Sequence, residues 1–476
     1  MSRLAAFLLL GASAAVGAAD SAPAPTKIPD AAIATATAMR DAAIKGTQAY
    51  DIVESLTTEV GPRMAGSPGD ARAVAWAKAK FEALGFDRVT LEPVTFPVWQ
   101  RGHERAEILS PFPQPLTLTT LGGSVGTKRP LEAEVVEFAT LQALVDAPAD
   151  AARGRIVFIG NRMERFKDGR GYGPAVAARG RGAVEAAKKG AVAILIRSIG
   201  TDRDRLPHTG TMRYEEGVPR IPAAALSNPD ADLLANVLKR KQPVRVRLDV
   251  GASMGGEGTS YNVIGDILGS EKPEEIVLIG GHLDSWDLGT GAIDDGAGVA
   301  ITMTAGALIG ALPQPPRRTI RVVAFANEEQ GLFGGLAYAA AHGDEVAQHV
   351  IGAESDFGAG RIYGFNSNAP AHARDALIQI AKVLEPLGIE YLAARGGAGP
   401  DVGPMAVKGM TWGWLAQDGS DYFDWHHTAN DTLDKVDAQA LDQQAAAYAV
   451  FAYLSAQADG DFGSRVLPPV APAAAH

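Results

Sequence analysis

One histidine and four aspartates crowd into GHLDSWDLGTGAIDDGAG, residues 281–298, directly after the hydrophobic run EEIVLIG. Downstream, Glu328 and Glu329 follow RTIRVVAFAN, Asp356 follows VIGAES, and His426 and His427 open HHTANDT. Bare carboxylates about 4 Å apart repel by roughly 4 kcal/mol per pair at an effective dielectric of about 20, so acids gathered in one place call for cations. The chain has no cysteine, which leaves carboxylate oxygen and imidazole nitrogen as ligands, a set suited to zinc or a first-row neighbour. Any one of these pairs alone is better explained by loop acids and helix caps. Five elements in order, each at a strand end, are harder to explain without a site.

For the groups to converge, the segments before them must lie side by side. YNVIGDILG, EEIVLIGGH, RTIRVVAFANEE and VIGAESD read as strands, with helical patterns at 299–312, 331–342, 371–387 and 438–456. That alternation predicts an α/β fold with a mostly parallel central sheet flanked by helices, whose sites sit past the carboxyl ends of the strands. Nearer the N-terminus the pattern is helical over 31–60 and is broken by GPRMAGSPGD. A second helix follows, with Val74, Ala77, Phe81 and Leu84 on one face and Gly85 at its end, and then RVTLEPVTFPVW reads as a strand. From 115 to 253 short apolar strands alternate with helices near 182–189 and 231–238, which predicts an insert with its own core, closed by the glycine-rich link GASMGGEGTS.

The 476 residues, 46% hydrophobic and 21% charged, suit a globular chain of two or three domains. A net charge of −11 argues against a nucleic-acid partner, which would want a basic face, although the stretch from Arg162 to Arg181 is basic. Arg3, the apolar run LAAFLLLGASAAVG and the small residues after it read as a cleaved export signal over 1–19. The run is shorter than the roughly 20 residues that span a bilayer, so no membrane anchor is expected after cleavage. A periplasmic or secreted chain without disulfides follows. Residues 459–476 read as a flexible tail by composition.

The ordered set GHLDSWD…AIDDGAG, ANEEQG, ESD and HHTANDT resembles the di-zinc exopeptidase family of bacterial leucyl aminopeptidases and glutamate carboxypeptidase. It is most similar to the carboxypeptidase Q members, in whose style are GHLDSWD, PHTGTMRYEEGVPRIP and the doubled histidine. The likeness runs from about Gly61 to about Ala456. It implies a discontinuous zinc exopeptidase domain over 20–114 and 254–458, a protease-associated domain over 115–253, two zinc ions per chain, short peptide substrates and a homodimer. Carried over by position, Asp294 bridges the ions, His282 and Asp356 complete one site, and Glu329 and His427 the other. Asp284 orients His282, Glu328 is the general base, and Asp295 follows Asp294 through a cis peptide. His427 rather than His426 is the ligand, because the family histidine directly precedes Ser or Thr in H-[ST]-x-x-D-T.

His426 stands where glutamate carboxypeptidase has a tyrosine, either as a donor to the reacting carbonyl or as a packing group. Asp401 in GAGPDVGPM matches a family position near the substrate, although Pro-Asp-Val replaces the Ser-Asp-His of simpler aminopeptidases. His208 stands in PHTGTMRY, which resembles a carboxypeptidase Q segment and is either a loop of the insert that reaches the cleft or, the favoured reading, an ordinary insert loop. Trp286, Trp412 and Trp414 are expected in the core. His103, His342, His349, His372 and His476 receive no role. The expected activity is that of a carboxypeptidase or dipeptidase, with an aminopeptidase on the same site as the alternative. A substrate carboxylate would demand an Arg or Lys in the pocket and an ammonium an uncommitted acid; the sequence locates neither. A single-zinc cyclase or a non-catalytic binding protein on this scaffold would be expected to lack ligands or base that this chain retains.

Overall fold

The computed structural model describes residues 23–393 and 396–467, so the export signal expected over 1–19 lies outside the described residues. Five strands form the central sheet in the order Arg88–Gln100, Ser253–Ile267, Arg318–Phe325, Lys272–His282, His349–Glu354. The last three run parallel, while Arg88–Gln100 and Ser253–Ile267 add antiparallel on one side. Parallel strands are covered on both faces and read as continuous apolar runs; every residue of Arg318–Phe325 is buried. The register pairs His282 with Phe325 and Gly280 with Glu354, so the three strands end along one edge.

Helices cover the sheet. Ala297–Gly310 packs against Lys272–His282, and Ala438–Gln457 packs against Ala297–Gly310. The run Ala292–Gly310 is long and apolar enough to cross a bilayer, yet it lies almost wholly inside the fold, as a core helix does. The amphipathic helix expected after GPRMAGSPGD spans Pro68–Ala83. The Ser67 side chain caps it by accepting from the Gly69 and Asp70 amides, and Val74, Ala77 and Phe81 are buried.

Between Gln100 and Ser253 the chain builds a second sheet of eight strands, with an apolar cluster of its own that includes Ile156, Phe158, Leu195, Leu234 and Val246. This region opens at Glu104–Ser110, ahead of the expected start at 115. That strand is only half-buried and rich in charge, so its pairing with Arg245–Val250 leaves no apolar signature. GASMGGEGTS is not a link: Ser253–Ile267 begins within it and runs antiparallel to Arg88–Gln100. Its glycines make room for the partner strand, since a Cβ on Gly258 would stand 2.5 Å from Val98 Cγ2. The helix expected near 182–189 spans Tyr172–Lys188. Residues 459–467, expected within a flexible tail, pack on the body: Asp459 bridges to Lys27, and Phe462 is buried with its carbonyl bonded by the Thr411 hydroxyl at 2.8 Å.

Candidate metal centre

The strand Lys272–His282 ends on a fully buried histidine. His282 Nε2 lies 3.1 Å from Asp294 Oδ1 and 3.7 Å from Asp356 Oδ1. His427 Nε2 lies 2.9 Å from Glu329 Oε2 and 3.3 Å from Asp294 Oδ2. Asp294 thus turns one carboxylate oxygen to each imidazole. Among the described residues, Asp294 Oδ2 and Glu329 Oε1 are buried without a hydrogen-bond partner. An unpaired buried carboxylate oxygen is costly, and a divalent cation between these oxygens and nitrogens removes that cost. Oxygen and imidazole donors without sulfur fit zinc, and the ligating atoms of His282, Asp294 and Glu329 lie within 4.8 Å of one another.

The loops carrying these groups are tied together by buried charge. Asp284 Oδ1 accepts from the Glu328 amide at 2.9 Å and Oδ2 from the Glu329 amide at 3.4 Å. The same side chain approaches His282 Nδ1 at 3.6 Å, and its backbone carbonyl is 3.0 Å from that nitrogen. Asp284 therefore fixes the two glutamates as well as the histidine. The peptide between Asp294 and Asp295 is cis; Asp295 accepts from the His282 amide at 3.0 Å and the Gly298 amide at 3.1 Å. A Cβ at residue 298 would stand 2.4 Å from Asp295 Oδ1, so only glycine fits there. Two buried residues to which the sequence reading gave no role complete the frame. Arg63 donates to the carbonyls of Leu283, Thr290 and Gly291, and Asp431 accepts from the Ile293 amide at 2.7 Å. Asp431 stands inside the motif H-[ST]-x-x-D-T, which could have singled it out; Arg63 had only its place in GPRMAGSPGD.

Burial raises the acids of the cluster: Glu328 and Glu329 well above the usual carboxylate range, Asp356 to about 6 and Asp431 to about 7. Asp294 goes the other way: burial opposes its charge, but the imidazoles of His282 and His427 beside it outweigh that. Burial opposes charge on His282 too, yet the carboxylates of Asp284 and Asp294 lift it well above an ordinary histidine. A pocket that draws a proton so strongly onto an imidazole favours a metal cation there as well.

A cavity of about 310 Å³ opens beside the cluster, lined by Glu328, Asp356, His426, His427, Tyr172 and Arg179 among others. The rings of His426 and His427 stack at 3.5 Å and 20°. His426 Nε2 is 3.7 Å from Asp294 Oδ2, and its Nδ1 has no partner among the described residues. His208 is 1% exposed and absent from the wall; its Nδ1 is 2.6 Å from the His426 carbonyl and its Nε2 2.7 Å from Asp202. Asp401 is buried outside the wall, accepting from the Gly335 amide at 3.1 Å, and its burial raises its carboxyl to about 8. Trp286 packs edge-on against His427 at 5.8 Å, while Trp412 and Trp414 are only partly buried.

Peptidase family M28 matches residues 262–452. Carboxypeptidase Q of Xenopus laevis is 36% identical over 420 residues, covering 87% of this chain and 88% of the relative. The crystal structure of a Peptidase M28 precursor from Shewanella amazonensis superposes with a TM-score of 0.89 at 55% identity, covering 93% of this chain and all of that one. A zinc aminopeptidase from Bacillus subtilis has the same fold, with a TM-score of 0.61 at 20% identity over 86% of this chain and 93% of its own.

Proposed function

The chain belongs to peptidase family M28 and is a metallopeptidase; from that premise we propose an exported di-zinc exopeptidase that cleaves short peptides as a carboxypeptidase or dipeptidase. One observation carries the metal assignment: Asp294 offers an oxygen to each of two imidazoles, while its Oδ2 and Glu329 Oε1 are buried and unpaired among the described residues. His282 and Asp356 would hold one ion, Glu329 and His427 the other, with Asp294 between them. Zinc bound there supplies Lewis acidity, acidifying water and polarising a peptide carbonyl.

The chain's own residues do the rest. Glu328 lines the cavity with its proton affinity raised by burial, suited to take a proton from water and deliver it to the leaving amine. Asp284 holds the Glu328 amide and so aims the base. His426 donates to the carbonyl oxygen as charge develops on it. Export rests on the pattern of residues 1–19. The second sheet is read as a protease-associated domain, and a homodimer is inferred from the likeness. The carboxyl-end preference is supported by the name of the Xenopus relative; an aminopeptidase would use the same cluster.

Zinc-loaded protein is expected to hold two ions per chain and to cleave a free dipeptide. Glu328→Gln should retain both ions and lose about 10²- to 10⁴-fold in turnover. Metal analysis finding one ion or none, or full turnover without Glu328, would overturn the reading.

A further inference from the structure

One histidine of the metal centre is seated by a residue of the second-sheet region. His427 has φ 62°, a left-handed conformation that a residue with a side chain keeps only where its surroundings fix it. Thr209 grips it twice. The Thr209 amide donates to the His427 carbonyl at 3.0 Å, and the Thr209 carbonyl faces His427 Nδ1 at 3.3 Å. A carbonyl oxygen only accepts, so it keeps the ring proton on Nδ1. The lone pair of Nε2 is then turned towards Glu329 and Asp294.

Thr209 is itself fixed from within the second-sheet region. Its hydroxyl donates to the Thr120 carbonyl at 2.9 Å and accepts from Arg101 Nη2 at 3.3 Å. Arg101 is buried, and its Nη1 donates to the Thr120 carbonyl at 2.7 Å and the Thr119 hydroxyl at 2.6 Å. The same guanidinium holds Asp287, in the loop after His282, at 2.6 Å. The second sheet, the Thr209 segment and the loop beyond His282 thus meet on one side chain. The contact continues on either side of Thr209. His208 Nδ1 lies 2.6 Å from the His426 carbonyl, and the Gly210 carbonyl accepts from the Gly122 amide at 3.0 Å. A Cβ on Gly122 would stand 2.2 Å from Trp286 Cη2, in the ring that packs against His427.

A metal ligand seated by another region couples the two. Whatever fixes His427 strengthens its hold on a cation, and by linkage the cation strengthens the contact that fixes His427. Resting on the two-metal reading above, we propose that Thr209 is a positioning residue of the metal centre, through which docking of the second-sheet region and retention of one zinc ion stabilise each other.

Zinc is withdrawn from the loaded full chain by a graded chelator, and the two ions are followed separately. Thr209→Val, which keeps the shape and loses both hydroxyl bonds, should weaken one ion about 10-fold and leave the other nearly unchanged. Thr209→Ser should hold both ions as wild type does. In wild type, stripping zinc should speed hydrogen exchange at the Thr209 and Met212 amides about 10-fold, while the amides of Phe158 and Leu195, within the second sheet, keep their rates. Wild-type affinity for both ions in Thr209→Val, equal weakening of both, or exchange at Thr209 indifferent to zinc overturns the proposal. If thermal melts show Thr209→Val unfolded, the exchange measurement on wild type carries the test. A wild-type chain that holds a single ion, weakened in Thr209→Val, would sink the two-metal reading and leave the role of Thr209 standing. A chain that holds no zinc overturns both.

Discussion

His426 and His427 are adjacent, stacked and buried, yet their chemistry differs. His427 reaches both Glu329 and Asp294, whereas His426 stands off Asp294 at 3.7 Å. Burial, reinforced by His427, holds the His426 imidazole well below the ordinary histidine range. A group that stays neutral cannot serve as the acid at neutral pH, but it can donate a hydrogen bond to a carbonyl oxygen that becomes negative. His426→Ala is therefore expected to lower kcat about 100-fold while both zinc ions remain. A drop smaller than tenfold, with metal content intact, would reduce His426 to a packing group. That His427 is the one to face both acids agrees with the register of HHTANDT. The split in roles was not legible there, because it depends on the distances of two stacked rings from one carboxylate.

At the scale of elements, segments distant in sequence hold the loop that follows Lys272–His282. Arg63 donates to three of its carbonyls, and Asp431 receives an amide from Ile293. Lysine at 63 keeps the charge but cannot present a rigid fork to three acceptors. Arg63→Lys should cost about 2–4 kcal/mol in denaturant unfolding and weaken zinc in competition titrations by about 10-fold. Unchanged zinc affinity alongside the lost stability would separate the clamp from the centre. The convergence of these acids and histidines was readable because strand ends in a parallel sheet share an edge. The clamp was not, because its partners are backbone groups, which leave no mark in side-chain pattern. The helix Tyr172–Lys188 shows a different failure. Gly173, Pro174, Gly180 and Gly182 weaken its propensity, and packing overrides them: a Cβ on Gly182 would stand 2.8 Å from Ile194 Cδ1. The half of the helix hidden in this way carries Tyr172 and Arg179.

Across the whole molecule, the second sheet's region is joined to the centre through His208, whose nitrogens face Asp202 and the His426 carbonyl. His208→Ala should loosen that seat and lower zinc affinity about 10-fold, measured against a chelator; unaltered affinity would confine His208 to packing between the two regions. A second histidine, at the far end of a core strand, sets the response to acid. His349 is fully buried, its Nε2 lies 2.8 Å from the Tyr338 hydroxyl, and its Nδ1 lies 3.2 Å from the Glu345 carbonyl. Arg321 already donates to that hydroxyl at 3.2 Å, so the hydroxyl's own proton goes to Nε2 and the ring is held neutral. Burial lowers its pKa to about 4. Unfolding exposes an imidazole that binds a proton near its ordinary value of about 6.5, so between those values the unfolded state takes up more protons. Stability from this residue is present above about pH 6.5 and is lost as the pH falls towards 4, amounting to about 2 kcal/mol at pH 5. His349→Gln removes the titration while leaving an acceptor for Tyr338. The gap in unfolding free energy between wild type and variant should narrow by about that amount between pH 7.5 and pH 5. Equal acid sensitivity in the two proteins would mean that His349 is protonated in the fold and that its bond to Tyr338 runs the other way.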